Sequence, residues 1–227
     1  VAMGVGALTV VILWPSLPSL DVLTDYRPKI PLRIYSAEGE LIGEFGEEKR
    51  AVVKIKDVPQ VMKAAILAAE DDRFYQHGGV DYLGMVRAAA ANLQGRREGA
   101  STITMQVART FFLTREKTFA RKLSEVLLSF KIEANLTKDQ ILELYINQIF
   151  LGQRAYGFGS AANVYFGKTL PELTPAEAAL LAGLPQAPSR QNPFGNPKRA
   201  QERQQYVLRR RREGGWMDAD QYKKAVA

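Results

Sequence analysis

The spacing of apolar and polar residues along the chain predicts three successive regions. Residues 1–20 contain no charged side chain, and Pro15 and Pro18 end any helix before the roughly 20 residues that a membrane span requires. We interpret this stretch as the end of a truncated membrane helix whose beginning lies upstream, with a buried core helix as the alternative. Residues 21–56 are expected to form a linker and a small β-hairpin, and residues 57–227 a mainly helical domain.

Local signals predict the elements within these regions. Alternating residues around a glycine turn indicate a hairpin between residues 32–36 and 41–45, with residues 51–55 as a third strand. Capping-box patterns predict three helix starts, at Asp57, Thr137 and Thr174. A helix after Thr118 carries an apolar stripe that is expected to face the core. The stripe consists of Leu123, Val126, Leu127, Phe130 and Ala134.

Composition narrows the chemistry. The 227 residues include no Cys and a single His, which excludes zinc sites built on Cys and His as well as thiol nucleophiles, so carboxylates become the leading catalytic candidates. The net charge of +7 is concentrated between Pro197 and Arg212, where basic residues far outnumber acidic ones. Such a cluster could meet anionic lipid headgroups, nucleic acid or a phosphorylated substrate. Taken alone, a solvated helix end explains it better.

Two carboxylates stand out by their surroundings. An apolar helix is expected to end in Glu70-Asp71-Asp72, although acids at a helix C-terminus are opposed by the negative end of the helix dipole. A carboxyl group among apolar neighbours suits a general base or acid, whereas the plainer alternative is that Asp71 and Asp72 are solvated and Glu70 pairs with an arginine. Glu125 lies opposite the apolar stripe, but Leu128 and Ile132 on its own side make that face partly apolar as well. Arg121 one turn earlier is a possible partner, and an ordinary helical ion pair is the plainer alternative.

A further segment offers groups that bind anions. Residues 99–109 are rich in small and hydroxyl-bearing side chains and turn into a helix, which presents backbone N–H groups and hydroxyls to an anion or simply caps the helix. The segment lacks the Gly-Lys-Ser/Thr ending of a nucleotide-binding loop. Cations of the kind that a phosphate site needs lie close by in sequence. They are Arg109, Lys117, Arg121 and Lys122.

Five segments together resemble the signature motifs of the peptidoglycan glycosyltransferases, the family found in class A penicillin-binding proteins and monofunctional transglycosylases. In chain order the matching segments are Glu70-Asp71-x-x-Phe74-x-x-His77-x-Gly79, Gly99-x-Ser101-Thr102-Ile103-Thr104-x-Gln106, Arg121-Lys122-x-x-Glu125, Ile141-Leu142-Glu143-x-Tyr145-x-Asn147 and Arg203-x-x-x-Val207-Leu208. One departure is Met105, where the family usually has Gln. Because Ile103 and Val107 form an apolar pair, Met105 is predicted to lie on the opposite, substrate-facing side of its helix.

The resemblance implies a lysozyme-like, mainly helical glycosyltransferase domain, held by a single-pass anchor at the periplasmic or extracellular face of the bacterial inner membrane. It implies polymerisation of lipid II onto a growing glycan chain, with inversion and release of undecaprenyl pyrophosphate. The carboxylate matching Glu70 is the family's general base, and that matching Glu125 assists at the leaving group or its divalent metal, Mg²⁺ or Mn²⁺. The positions that match substrate-binding residues are Asp71, Phe74, His77, Ser101, Thr102, Gln106, Arg109, Lys117, Arg121, Lys122, Asn147 and Arg203.

Membrane lipids are expected as partners and nucleic acid is not, while a C-terminal transpeptidase domain beyond Ala227 is left open. Two other classes of protein fit part of the sequence. A lysozyme-like hydrolase would share the fold and one catalytic Glu, but it needs neither cations for pyrophosphate nor an anchor. A non-catalytic basic protein on a membrane or nucleic acid would explain the charge, but not Glu70 and Glu125.

Overall fold

A computed structural model describes residues 14–24, 32–93, 95, 99–113 and 119–226. The chain divides into two compact units, one from Val1–Tyr26 and Arg73–Tyr145, the other from Arg27–Asp72 and Ile146–Ala227. The prediction of a mainly helical body with a small hairpin is confirmed. Most of the predicted membrane helix lies outside the described residues, and within them no helix combines the length and apolar character needed to cross a bilayer.

The elements of the described ranges follow one another in a simple order. They are α1 (Asp21–Thr24), β1 (Leu32–Tyr35), β2 (Leu41–Phe45), β3 (Lys49–Arg50), α2 (Gln60–Glu70), α3 (Tyr82–Leu93), α4 (Ile103–Phe112), α5 (Phe119–Asn135), α6 (Lys138–Gln148), β4 (Ala155–Tyr156), α7 (Phe158–Phe166), α8 (Pro175–Gly183), α9 (Pro197–Glu213) and α10 (Ala219–Val226). β1 and β2 form the predicted antiparallel hairpin, with Leu32 opposite Phe45. β3 and β4 pair in parallel.

The predicted third strand over residues 51–55 is wrong. The parallel pairing includes Arg50 and goes no further in this segment. Beyond it, the backbone of Val53 bonds to a side chain instead of a neighbouring strand. Its N–H donates to Asn147 Oδ1 at 2.8 Å, and its carbonyl accepts from Asn147 Nδ2 at 2.8 Å. The side-chain amide thus takes the place of a strand partner, which satisfies the backbone groups without extending the sheet.

Two of the three predicted capping boxes are confirmed. The Thr174 N–H donates to Glu177 Oε2 at 2.8 Å while the Glu177 N–H donates back to Thr174 Oγ1 at 3.3 Å, and Thr137 forms the same exchange with its Gln partner. The prediction at Asp57 is wrong, because α2 begins only at Gln60. Pro59 has an extended backbone and separates α2 from a short 3₁₀ turn that contains Asp57.

The second unit is organised around α2. This helix packs against α8 and α9, which also pack against each other. α2 buries Met62 and all of residues 64–68, so it is enclosed on more than one side. α8 and α9 approach closely because Gly183 has no side chain, and a Cβ atom there would lie 2.7 Å from Arg203 Cγ. This packing positions the end of α2, where Glu70 lies.

In the first unit, α4 packs against α5. Every residue from Ile103 through Ala108 is buried, so α4 is enclosed on all sides rather than along one stripe. The N-terminal segment also contacts this unit. Leu23 in α1 is buried, and the Lys131 ammonium donates to the carbonyl oxygens of Leu17 at 3.4 Å and Pro18 at 2.9 Å. The end of the predicted anchor segment therefore has specific contacts with α5.

Candidate functional site

Glu70 is the last residue of α2 and follows its buried apolar run. The residue is half-buried, and its Oε1 atom is shielded from solvent. Asp71 caps the helix, with its N–H bonded to the Leu67 carbonyl at 2.9 Å. Asp72 Oδ2 accepts a hydrogen bond from Arg210 Nη2 at 2.7 Å. The structure confirms a carboxylate at the end of an apolar helix, and it places an arginine beside the acidic helix end.

Phe74 lies in the core of the first unit, in the short turn Phe74–Gln76. Its ring meets Tyr75 and His77 edge-on, with centroids 5.2 Å and 6.4 Å away, and the Lys138 ammonium lies 4.3 Å from the ring centroid. Tyr75 donates a hydrogen bond to Asp139 at 2.8 Å; burial and this bond raise the pKa of Tyr75. These contacts give Phe74 a packing role, and substrate binding by Phe74 or His77 stays a prediction.

Thr102 links the second motif to the first. It is the N-cap of α4, and its hydroxyl accepts from the Met105 N–H at 3.2 Å and donates to the Gly79 carbonyl at 2.6 Å. Gly79 has a φ of +84°, and a Cβ atom there would lie 3.0 Å from Ser129 Oγ, so a larger residue would disturb the link. The helix-cap interpretation of this segment is confirmed, and the buried Thr102 hydroxyl is engaged within the protein.

Glu125 is the centre of a cluster of cations in the first unit. Its side chain is 1% exposed. Glu125 Oε1 lies 2.6 Å from Arg121 Nη1 and 4.0 Å from Arg109 Nη1. Glu125 Oε2 lies 2.9 Å from Lys122 Nζ. Lys122 Nζ also donates to Ser101 Oγ at 3.0 Å. Arg109 and Lys122 remain partly exposed. Three cations around one carboxylate leave a net positive charge that an anion could approach.

The burial pattern of α5 differs from the predicted stripe. Ala134 is exposed, and Leu123, Val126 and Phe130 are only half-buried. The fully buried positions are Glu125, Leu127, Leu128, Ser129 and Ile132. The helix can turn Glu125 inward because the carboxylate is paired with cations, which offsets the cost of removing its charge from water.

The surroundings of Glu125 do not fit a divalent metal. Both carboxylate oxygens contact cationic side chains, which occupy the positions that a metal would need and would repel it. In the ranges described, no three His, Asp or Glu residues lie together in a way that could hold a metal ion. The role of Glu125 as a metal ligand thus finds no support in its neighbours.

Asn147 and Arg203 each make contacts within the second unit. The Asn147 amide bonds to the backbone of Val53. The Arg203 guanidinium carbon lies 4.4 Å from the ring centroid of Tyr206, and Arg203 Nε lies 3.4 Å from the Gly183 carbonyl. These contacts position helices, and substrate binding by either side chain stays a prediction. Lys117 lies outside the described residues.

The prediction that Met105 faces substrate is wrong. Met105 is 2% exposed, and the neighbouring Gln106 is also buried. The apolar pair Ile103 and Val107 does mark a buried face, but α4 is enclosed on its other faces too. An apolar pair shows which side of a helix is buried without showing that the opposite side is exposed.

One surface that sequence reasoning missed is the outer side of α3, which we call the α3 apolar face. Four large apolar side chains form this face, and each is between 66% and 90% exposed; they are Tyr82, Leu83, Val86 and Leu93. The residues that α3 buries are instead small, namely Gly84, Ala88 and Ala91. The signal was available in the sequence, because small residues at helical spacing in an apolar segment indicate close packing on one side and leave the larger residues outside.

Comparisons with known proteins agree with the motifs. The transglycosylase family model matches residues 38–212. Penicillin-binding protein 1A of Neisseria gonorrhoeae is 58% identical over 91% of this chain and 26% of its own length, and that of Pseudomonas aeruginosa is 50% identical over 93% and 26%. The crystal structure of penicillin-binding protein 1A from Haemophilus influenzae matches with a TM-score of 0.51 and 32% identity, over 88% of this chain and 20% of that one.

The motif residues, the helical fold and the family match define the class of this protein as a peptidoglycan glycosyltransferase. The chain belongs to the transglycosylase family, as its five motifs predict. The similarity to the penicillin-binding proteins 1A covers only part of those proteins, because the chain spans 26% of the length of these curated relatives.

Proposed function

We propose that the chain polymerises lipid II into glycan strands, with inversion at the anomeric carbon and release of undecaprenyl pyrophosphate. The observation that carries the proposal is the Glu125 cluster, in which three cationic side chains surround one buried carboxylate. A departing pyrophosphate gains negative charge in the transition state, and cations that are already in place stabilise it without reorganisation. Glu125 holds Arg121 and Lys122 in this way before any substrate arrives.

Glu70 is the general base of the proposed reaction. Its carboxylate takes the proton of the acceptor sugar's 4-hydroxyl, whose oxygen attacks the anomeric carbon of the donor while the bond from that carbon to pyrophosphate breaks. The position of the carboxylate at the end of an apolar helix, with Oε1 shielded from solvent, supports this assignment. Glu125 is unsuited to this step, because both of its oxygens contact cations.

The α3 apolar face supports work at a membrane surface. Its exposed side chains form the kind of patch that marks a membrane or protein contact on a soluble domain. The polyprenyl chain of lipid II stays in the bilayer, so an enzyme that uses it must act at that surface. We therefore propose membrane lipids as partners and a location at the periplasmic or extracellular face of the bacterial inner membrane, with residues 1–20 as the end of a single-pass anchor.

Two further parts of the proposal rest on resemblance alone. The matching relatives are penicillin-binding proteins several times longer than this chain, and we propose that a transpeptidase domain accompanies it in the whole protein. The divalent metal stays a prediction; its test is the polymerisation rate after chelation with EDTA and after return of Mg²⁺ or Mn²⁺. A rate that chelation leaves unchanged would contradict it.

The direct test of function incubates the chain with lipid II in detergent and separates the products by size. The expected result is a glycan polymer, with one undecaprenyl pyrophosphate released for each glycosidic bond formed. A parallel reaction supplies preformed glycan instead of lipid II. Shortening of that glycan would favour the hydrolase alternative. A lack of polymer where a control polymerase forms it would contradict the proposal.

A further inference from the structure

The four consecutive arginines at the end of α9 have four different environments. Arg209 is exposed, and the guanidinium carbon of Arg212 lies 5.4 Å from the ring centroid of Tyr222. Arg211 is 4% exposed. Arg210 forms the ion pair with Asp72 at 2.7 Å, and its Nη1 lies 3.8 Å from Glu213. The four residues thus carry the same formal charge, but within the described part of the chain Arg210 is the one that pairs with the acidic end of α2.

The partner of Arg210 is close to the proposed base in sequence. Asp72 follows Glu70 by two residues, and Asp71 between them leaves the helical conformation, with φ −161° and ψ 79°. Three acids at a helix C-terminus face the negative end of the helix dipole, which disfavours the segment unless a cation offsets it. The guanidinium of Arg210 supplies that cation from α9, which packs against α2 in the same unit.

We propose that Arg210 is a positioning residue for Glu70, and this inference rests on the proposed function. By binding Asp72, Arg210 fixes the turn that begins at Glu70 and so restricts the direction of the Glu70 carboxylate. A general base must lie within hydrogen-bond reach of the proton that it takes, and a small misplacement of a catalytic group lowers the rate strongly. Both side chains of the ion pair are about one quarter exposed, so water partly screens the pair and its contribution to stability is expected to be modest.

If Arg210 positions Glu70, its loss should lower the rate strongly and the stability little. If its role were merely structural, the loss of rate would follow the loss of stability. The test measures kcat, KM and thermal midpoint for Arg210→Gln and Asp72→Asn, with Arg209→Gln as the matched control. The control removes the same charge from the same helix without touching Asp72. We expect kcat to fall about tenfold or more in both Arg210→Gln and Asp72→Asn, with KM and the midpoint nearly unchanged, and no such fall in Arg209→Gln.

A double variant sharpens the test. If the two residues act as one unit, Asp72→Asn combined with Arg210→Gln should be no slower than the worse single variant. Additive losses would overturn the inference, and so would an Arg210→Gln variant that matches Arg209→Gln. If Arg210→Gln fails to fold, Asp72→Asn still decides, because it keeps the size of the side chain and removes only its charge. If the unaltered chain forms no polymer, both the proposed function and this inference are wrong. If the unaltered chain is active and Arg210→Gln leaves kcat unchanged, the inference alone is wrong.

Discussion

Glu70 and Glu125 are the same residue type in opposite surroundings. Glu70 ends an apolar helix and is half-buried. Glu125 is fully buried, and each of its oxygens contacts a cation. A carboxylate whose charge is already balanced by cations is a poor proton acceptor. The surroundings of Glu125 therefore favour a role in organising charge, and proton transfer by Glu70 stays a prediction.

The buried charged side chains of the two units also differ in their partners. In the first unit, Glu125 has cationic partners at 2.6 Å and 2.9 Å. In the second unit, Arg211 is buried to a similar degree, but its Nε and Nη1 atoms have no hydrogen-bond partner among the described residues. A compensated buried charge is costly to remove, whereas an uncompensated one is costly to keep. Substitutions at the two positions should therefore change stability in opposite directions.

The largest expected effect is that of Glu70→Gln. This change keeps the volume of the side chain and removes the proton acceptor, so polymerisation should fall by about 10²- to 10⁴-fold. The thermal midpoint should change little, since Glu70 lies half-exposed at a helix end. Turnover and midpoint measured on the same preparation decide the matter. Turnover within about tenfold of the unaltered chain would contradict the base assignment.

Glu125→Gln should lower both turnover and stability, in contrast to Glu70→Gln. Removing one partner of a buried ion cluster typically costs about 3 kcal/mol or more, because the remaining charges repel one another. The matched control is Glu133→Gln in the same helix, where Glu133 bonds to Lys138 at 2.7 Å and Thr104 at 2.5 Å. The control should lose stability and keep turnover. Equal turnover in the two variants would show that the Glu125 cluster is only structural.

The sequence predicted the parts of this comparison that depend on local spacing. Arg121 was expected as the partner of Glu125 one helical turn away, and the structure confirms it at 2.6 Å. The capping boxes at Thr137 and Thr174 are local in the same sense. The pair of Asp72 and Arg210 could not be predicted, because 138 residues separate them and only the packing of α9 on α2 brings them together.

The wrong predictions have a related cause. The third strand failed because the backbone partner of Val53 is a side chain from α6, which no pattern around Val53 reveals. The prediction for the apolar stripe of α5 is wrong because the helix buries the partly apolar side that carries Glu125, whose charge enters the core together with cations such as Arg109. Periodicity therefore predicted where helices form better than it predicted which of their faces is inward.

Met105→Gln tests how completely α4 is buried in the first unit, which also contains Glu125. Met105 is buried in α4, which packs against α5, so Gln would place an amide where no water reaches it. The expected cost is about 1–3 kcal/mol, with no gain in turnover. Met105→Leu keeps the volume and the apolar character, and should cost less. Thermal midpoints of the two variants test this; an unchanged midpoint with faster turnover in Met105→Gln would restore a substrate-facing position.

Arg211→Met should have the smallest effect of the four substitutions, and it should raise stability instead of lowering it. Burial lowers the pKa of Arg211, which means that folding disfavours the charged form; this cost is present at every pH below that lowered pKa, including neutral pH. Met is flexible and apolar, so it can fill the space without a charge and should raise stability by about 1 kcal/mol, or about 2–4 °C in thermal midpoint. Arg209→Met removes the same charge from an exposed position of α9 and should leave the midpoint unchanged. If Arg211→Met lowered the midpoint instead, Arg211 would be compensated as fully as Glu125, and the contrast between the two buried charges would be wrong.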